Sequence, residues 1–218
     1  MSIKERKERE KEEMRELILD AANEIITTEG IESISVRKIA SRIEYSPTII
    51  YHYFLDKDDI INQVMKRGYQ KIVSTLSSVQ ALSETPEKRL EEQIRRYIDT
   101  ALLMSDEYKA AHLSTSPAVL EHTSSLFRGA SAKKPALGIL SQCLKDIFRD
   151  RNLDDSLIEL TSQIIAAATF GLIIKLIIEK DIGKEQRENL IEHHIRCIVG
   201  GMIMGNTLDK YQQEENVL

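Results

Sequence analysis

The 218-residue sequence has no tryptophan, two cysteines, four prolines and nine glycines, and aromatic side chains make up 5% of it. Cys143 and Cys197 are too few and too far apart for a disulfide framework or a cysteine-based zinc site, so a reducing cytoplasm is the expected setting. The scarce prolines are orderly. Pro47, Pro86, Pro117 and Pro135 each stand where a helical pattern begins, where a missing N–H costs nothing, and none interrupts a helix. No run reaches the ~18 consecutive apolar residues of a membrane span. The most apolar, Ile164 to Ile174, follows Gln163 and stops at Lys175. The charged start, Met1-Ser2-Ile3-Lys4-Glu5-Arg6, lacks the apolar region of a signal peptide. Ser-His-Asp, HExxH and glycine-rich phosphate motifs are missing too, so the sequence gives no basis for enzymatic chemistry and implies no cofactor. A large excess of one charge is also absent. The net charge of -5 argues against a protein that coats nucleic acid without specificity, so any DNA binding must come from a local patch.

What the sequence does have is helical periodicity without convincing strand alternation, the pattern of an all-α protein. Residues 4 to 16 alternate in charge, which suits a solvated helix face or a mobile arm whose Lys4, Arg6, Lys7 and Arg9 brush a DNA backbone. From Met14 an apolar stripe runs through Leu17, Ile18, Ala21, Ala22, Ile25 and Ile26 and ends at Gly30, as a helix C-terminus does. Ser35 is a plausible N-cap for a short helix bearing Val36, Ile39, Ala40 and Ile43. After only Glu44-Tyr45, Ser46 and Pro47 open another, Thr48-Ile49-Ile50-Tyr51-His52-Tyr53-Phe54, with Ser46 able to cap its first turn. Two short helices joined this tightly read as helix-turn-helix, the second lying in the DNA major groove. The segment from Ser33 to Lys57 carries Arg37, Lys38, Arg42 and Lys57 against Glu44 and Asp56, an excess of two positive charges.

Asp56 can cap a fourth helix with Asp58 and Asp59 at its positive end, and its apolar positions run from Ile60 toward Leu76. Further helices are expected over roughly 86–104, 106–114, 117–127, 135–150, 155–180 and 185–208. Segment 128–134 reads as the main internal loop and a mobile spot.

Together these residues resemble the TetR family of transcriptional regulators, most specifically over residues 14 to 65. Ala21-Ala22, Gly30, Ser35-Val36-Arg37-Lys38-Ile39-Ala40 and Ser46 through Phe54 carry the likeness. The family's Tyr-x-Tyr/His-Phe-x-x-Lys signature stands as Tyr51-His52-Tyr53-Phe54-Leu55-Asp56-Lys57. Glu44-Tyr45 depart from it, because the family usually has Gly-Val there, and the turn therefore needs a different backbone solution. Past residue 70 the likeness is architectural. It implies a DNA-binding helix-turn-helix domain of three helices over residues 1–60, and a helical ligand-binding and dimerisation domain over 61–218.

Within that frame Arg37 aligns with a position that reaches a base in some members; a bidentate guanine pair, a phosphate contact and a plain surface charge all remain open. Lys38 is a further DNA-facing candidate. Pro47, Thr48, Ile49 and His52 suit base edges, while Ile50 and Phe54 suit the core. Tyr51 and Tyr53 can donate to phosphates, Tyr53 being alternatively half buried, and Lys57 adds a cation at a positive helix end. Ser35 and Ser46 combine capping with phosphate bonding. Tyr97, Met104, Tyr108, His112, Phe127, Phe148 and Phe170 could line an effector cavity or simply pack in a core. Lys175 either reaches the surface or neutralises an anionic ligand. His112, His122, His193 and His194 lack a clear chelating spacing.

The last two helices are apolar almost all round and carry Ala166, Ala167, Ala168, Gly171, Gly200, Gly201 and Gly205, a surplus that a dimer interface would absorb. The family likeness implies a homodimer through these helices, a pseudo-palindromic operator and an unknown small-molecule effector, with no membrane partner. The expected function is a ligand-responsive regulator, a repressor released by its effector. A helical small-molecule or lipid-binding protein with a vestigial DNA motif is the competing reading.

Overall fold

The computed structural model describes residues 2–79, 85–151 and 153–203, and among these every regular element is helical. The elements are α1 (Ile3–Glu29), α2 (Val36–Arg42), α3 (Pro47–Ile50), α4 (Lys57–Val79), α5 (Pro86–Leu103), α6 (Ser105–His112), α7 (Pro117–Thr123), α8 (Ala130–Lys133), α9 (Pro135–Ile147), α10 (Asp155–Ile178) and α11 (Lys184–Arg196). A π-helical stretch, Cys197–Ile203, continues α11. The expected helix end at 208, and Gly205 with it, lie outside the described residues.

The helices form two compact units. The first takes the chain up to Gln70 together with Asp106–Thr123; the second takes Lys71–Ser105 and the chain from Ser124 onward. The division expected at 60/61 falls inside α4, and nothing in the periodicity assigned α6 and α7 to the first unit.

In the first unit α1 begins at Ile3, so the charged start is helix and not a mobile arm. Ser2 and Glu5 close a reciprocal capping box: the Glu5 amide donates to the Ser2 hydroxyl at 3.2 Å and the Ser2 amide to the Glu5 carboxylate at 2.7 Å. Arg6–Glu10 and Arg9–Glu13 ion pairs then line its surface. Ile18, Ala22, Ile25 and Ile26 of α1 meet Ile39 and Ala40 of α2, Ile50, Phe54, and Ile60, Ile61 and Val64 of α4. Leu17, read as part of the stripe, is exposed. Val119 of α7 is fully buried in the same cluster, with Ala110, Ala111 and Ala118 packed against it.

In the second unit α5 buries Leu90, Ile94, Ile98 and Ala101 on one stripe and packs on α9, α10 and α11. Residues 128–134 are not a loose loop. The Glu159 carboxylate accepts from the amides of Gly129 and Ser131 and from the Ser131 hydroxyl, each at 2.9 Å, which also holds that carboxyl below its ordinary pKa. Gln163 donates to the carbonyls of Ser125 and Phe127. The short α8 results, and Gly138 is needed behind it, since a Cβ there would lie 2.7 Å from the Ser131 carbonyl oxygen.

The 24-residue α10 is long and apolar enough to cross a membrane by length and composition. Its polar side chains nonetheless find partners inside the unit: Ser162 with Ser141 at 2.8 Å, Thr169 with His194 at 3.0 Å. Leu160, Ile164 and Ile178 are each 56% exposed on its other side.

Candidate nucleic-acid interface

A cap, a strained turn and a buttress shape the helix-turn-helix. Ser35 caps α2 by accepting from the Lys38 amide at 3.2 Å. Ser46 makes no such bond: α3 is a single turn, its Ile49 amide donates to the Ser46 carbonyl at 3.0 Å, and the hydroxyl stays exposed. Between them Glu44 takes φ +60°, the left-handed region that favours glycine. That is the backbone solution adopted in place of Gly-Val. The turn closes with the Tyr45 amide donating to the Ala40 carbonyl at 2.9 Å.

Regular helix in the recognition element ends at Ile50, and residues 51–53 continue as turns closed by His52 and Tyr53 amides donating to Ile49 and Ile50 carbonyls. Ile50 and Phe54 point into the core, leaving Ser46, Pro47, Thr48, Tyr51 and His52 exposed, Tyr51 by 59%. Ile49 and Tyr53 are half-buried, and Tyr53 packs against the core cluster. Ser35, Arg37 and Lys57 are exposed. Lys38 is half-buried and pairs with Glu29, while Arg42 pairs with Glu24 and Glu29. Part of the local positive excess is therefore neutralised from α1.

Sequence reasoning missed the buttress. Arg15 of α1 donates to the Tyr53 carbonyl at 2.7 Å and to Gln63 Oε1 at 2.6 Å, and its guanidinium lies 4.6 Å from the Phe54 ring centroid. Gln63 in turn donates to Asp59, whose other carboxylate oxygen accepts from the Leu55 amide at 3.0 Å. Asp56 caps α4 by accepting from the Asp59 amide at 2.8 Å. The signal was Arg15 standing in the apolar stripe one turn before Ile18, visible but not diagnostic.

The effector candidates are divided. Tyr108 and His112 belong to the first unit, with ring centroids 4.2 Å apart. Burial pushes the His112 imidazole down to about 4. Tyr97, Met104, Phe127, Phe148 and Phe170 belong to the second unit; Phe148 is buried, Phe127 exposed and the other three half-buried. Lys175 reaches the surface and pairs with Glu179. His193 Nε2 lies 3.5 Å from Cys197 Sγ. Among the described residues no three potential ligands gather around a metal position.

Residues 18–64 match the family of bacterial regulatory proteins, tetR family. No curated protein is similar enough to match. Solved structures share the fold. FadR from Bacillus subtilis, in complex with stearoyl-CoA, is 19% identical with a TM-score of 0.68, covering 85% of this chain and 97% of its own. The fatty acid degradation regulator FadR from Bacillus halodurans is 16% identical with a TM-score of 0.62, covering 86% and 95%. A TetR/AcrR-family regulator from Thermobifida fusca is 19% identical with a TM-score of 0.59, covering 87% and 98%. The segment 18–64 is thus the DNA-binding segment of the tetR family of bacterial regulatory proteins, and the described helices share the fold of these solved structures.

Proposed function

We propose that the protein is a cytoplasmic, ligand-responsive transcriptional repressor that binds a pseudo-palindromic operator as a homodimer and is released by a small-molecule effector. One observation carries the reading: Thr48, Tyr51, His52 and Lys57 are exposed around α3 while Ile50 and Phe54 anchor it from beneath. A surface that presents hydroxyl, imidazole and ammonium groups from a fixed helix suits phosphates and base edges. Residues 1–60 supply this function, with Ser35, Arg37, Lys38, Ser46, Pro47, Ile49 and Tyr53 completing it. Residues 61–218 bind the effector and form the dimer, Tyr97, Met104, Tyr108, His112, Phe127, Phe148 and Phe170 being candidates for the effector.

The exposed aliphatic side chains Leu160, Ile164 and Ile178 of α10 and Leu190 of α11 support a two-fold interface, which would set two recognition helices one DNA turn, about 34–36 Å, apart. A covalent route for the response exists in the chain. Helix α4 contributes residues to both units, and α6–α7 belong to the first unit while both flanking segments belong to the second. An effector releases DNA only by binding the DNA-incompetent state more tightly. The stearoyl-CoA in the B. subtilis neighbour makes a long-chain acyl thioester the first effector to try.

The test is a fluorescence-anisotropy titration of DNA flanking the protein's own gene, at two salt concentrations, with and without stearoyl-CoA. Salt-sensitive binding that weakens with the thioester is expected, and absence of specific DNA binding defeats the reading. Leu160→Glu combined with Ile164→Glu is expected to give a helical monomer by sedimentation; an unchanged dimer removes α10 from the interface.

A further inference from the structure

Helix α5 turns two polar side chains, Arg89 and Gln93, into the second unit one helical turn apart, so that they share a face. Gln93 is 3% exposed, and neither its Nε2 nor its Oε1 has a hydrogen-bond partner. Arg89 Nε is likewise buried and unpartnered. Ser141, Ser162, Gln163 and Thr169, buried in the same unit, are all hydrogen bonded. Native interiors rarely leave polar atoms unpaired, and three such atoms on adjacent turns of one helix call for a partner.

The surroundings define that partner. Arg89 Nη2 donates to Asp146 at 2.9 Å, the two side chains being 18% and 19% exposed, so the guanidinium charge is already met. Cys143 donates to the Pro86 carbonyl at 3.3 Å, and burial pushes its thiol up to about 11, so it adds no charge and only a weak acceptor beside Arg89. What is unmet is the Arg89 Nε–H donor, the Gln93 NH₂ donors and the Gln93 carbonyl acceptor. A carboxylate would meet the donors but carry its charge up to Asp146 and bring no proton for Oε1. A neutral secondary amide brings both a carbonyl and an N–H.

We infer that Arg89 and Gln93 form the polar recognition point of the effector site, and that the group they take is a neutral secondary amide on an otherwise apolar molecule. This rests on the effector-responsive reading above. Two sources offer the chemistry: an N-alkyl fatty amide, or the pantetheine arm of a coenzyme A thioester, which carries two such amides.

The experiment uses the full-length protein and titrates N-methylstearamide, stearoyl-CoA, methyl stearate and stearate by calorimetry, with thermal unfolding of the ligand-free protein alongside. The wild type is expected to bind an amide-bearing probe at least about tenfold more tightly than the ester and the acid. Binding of N-methylstearamide assigns the fatty amide; binding of stearoyl-CoA alone assigns the pantetheine. Gln93→Met is expected to raise the ligand-free Tm, because it removes two unpaired atoms, and to weaken the amide probe about tenfold or more. Gln93→Leu gives the same readout if the methionine variant does not fold. A fall in ligand-free Tm, equal affinity for ester, acid and amide, no binding of any probe, or unchanged amide affinity in the variant each overturns the inference. DNA anisotropy on the same wild-type samples judges the regulator reading separately.

Discussion

The exposed surface of α3 and that of α10 are built on opposite chemistry. Around α3 the outward groups include hydroxyl, imidazole and ammonium, at Thr48, Tyr51, His52 and Lys57, beside the exposed Leu55, while Ile50 and Phe54 are turned inward. On α10 the outward groups are aliphatic, at Leu160, Ile164 and Ile178, and the polar groups Ser162, Gln163 and Thr169 are turned inward and paired. A helix that shows polar groups outward needs support from below; a helix that shows aliphatic groups needs a covering surface. The first unit meets its need within one chain, whereas α10 does not meet its own among the described residues.

Breaking the support should do most. Ile50→Ala empties a fully buried site under α3 and is expected to cost about 2–5 kcal/mol in urea unfolding. A cost below 1 kcal/mol would show that α3 is not anchored there. Next, Tyr51→Phe with Lys57→Ala leaves the support intact and removes two groups proposed to donate to phosphates. DNA affinity is expected to fall about tenfold or more, with a shallower salt dependence and an unchanged far-UV spectrum, measured by anisotropy.

A pH experiment sharpens the comparison from inside the first unit. The unfolded chain protonates His112 near its ordinary value of 6.5, while the folded protein resists until about 4. Stability is therefore complete above pH 6.5 and falls through that window by up to ~1.4 kcal/mol per pH unit. His112→Gln should flatten the slope in urea titrations at pH 6.5 and 4.5. His194 of the second unit, also lowered by burial, contributes with the same sign and remains in that variant. The smallest effect is expected at the turn. Glu44→Gly relieves a left-handed residue and should stabilise by about 0.5–1 kcal/mol, read as a rise in Tm.

The sequence shows the helix-turn-helix because its signals are local. Ser35 caps the turn that follows it, Pro47 begins α3, and the alternation of buried Ile50 and Phe54 with exposed Tyr51 and His52 needs only one helix's geometry. Arg15 escaped because its partners, Tyr53 and Gln63, are 38 and 48 residues away. The segment 128–134 escaped for the same reason: its Gly-Ala-Ser composition reads as loop, and Glu159 and Gln163, a helix further on, fix it. The effector candidates have their residue type in common and spread along five expected helices, and periodicity cannot tell that Tyr108 and His112 join the first unit while Tyr97 does not. Gln93 is a polar residue on the stripe of α5 that buries Leu90, Ile94 and Ile98, and its burial depends on helices far away in the sequence.

The membership of Asp106–Thr123 in the first unit gives the chain an unusual path: it leaves that unit, returns to it, and leaves again. No single peptide bond separates the two units. A fragment ending at Gln70 keeps the helix-turn-helix but loses Val119 and the alanines beside it, so its core is open where α7 belongs. The unit that carries the helix-turn-helix is thus discontinuous in the chain, and its core is complete only after the ribosome has made residues on both sides of α5.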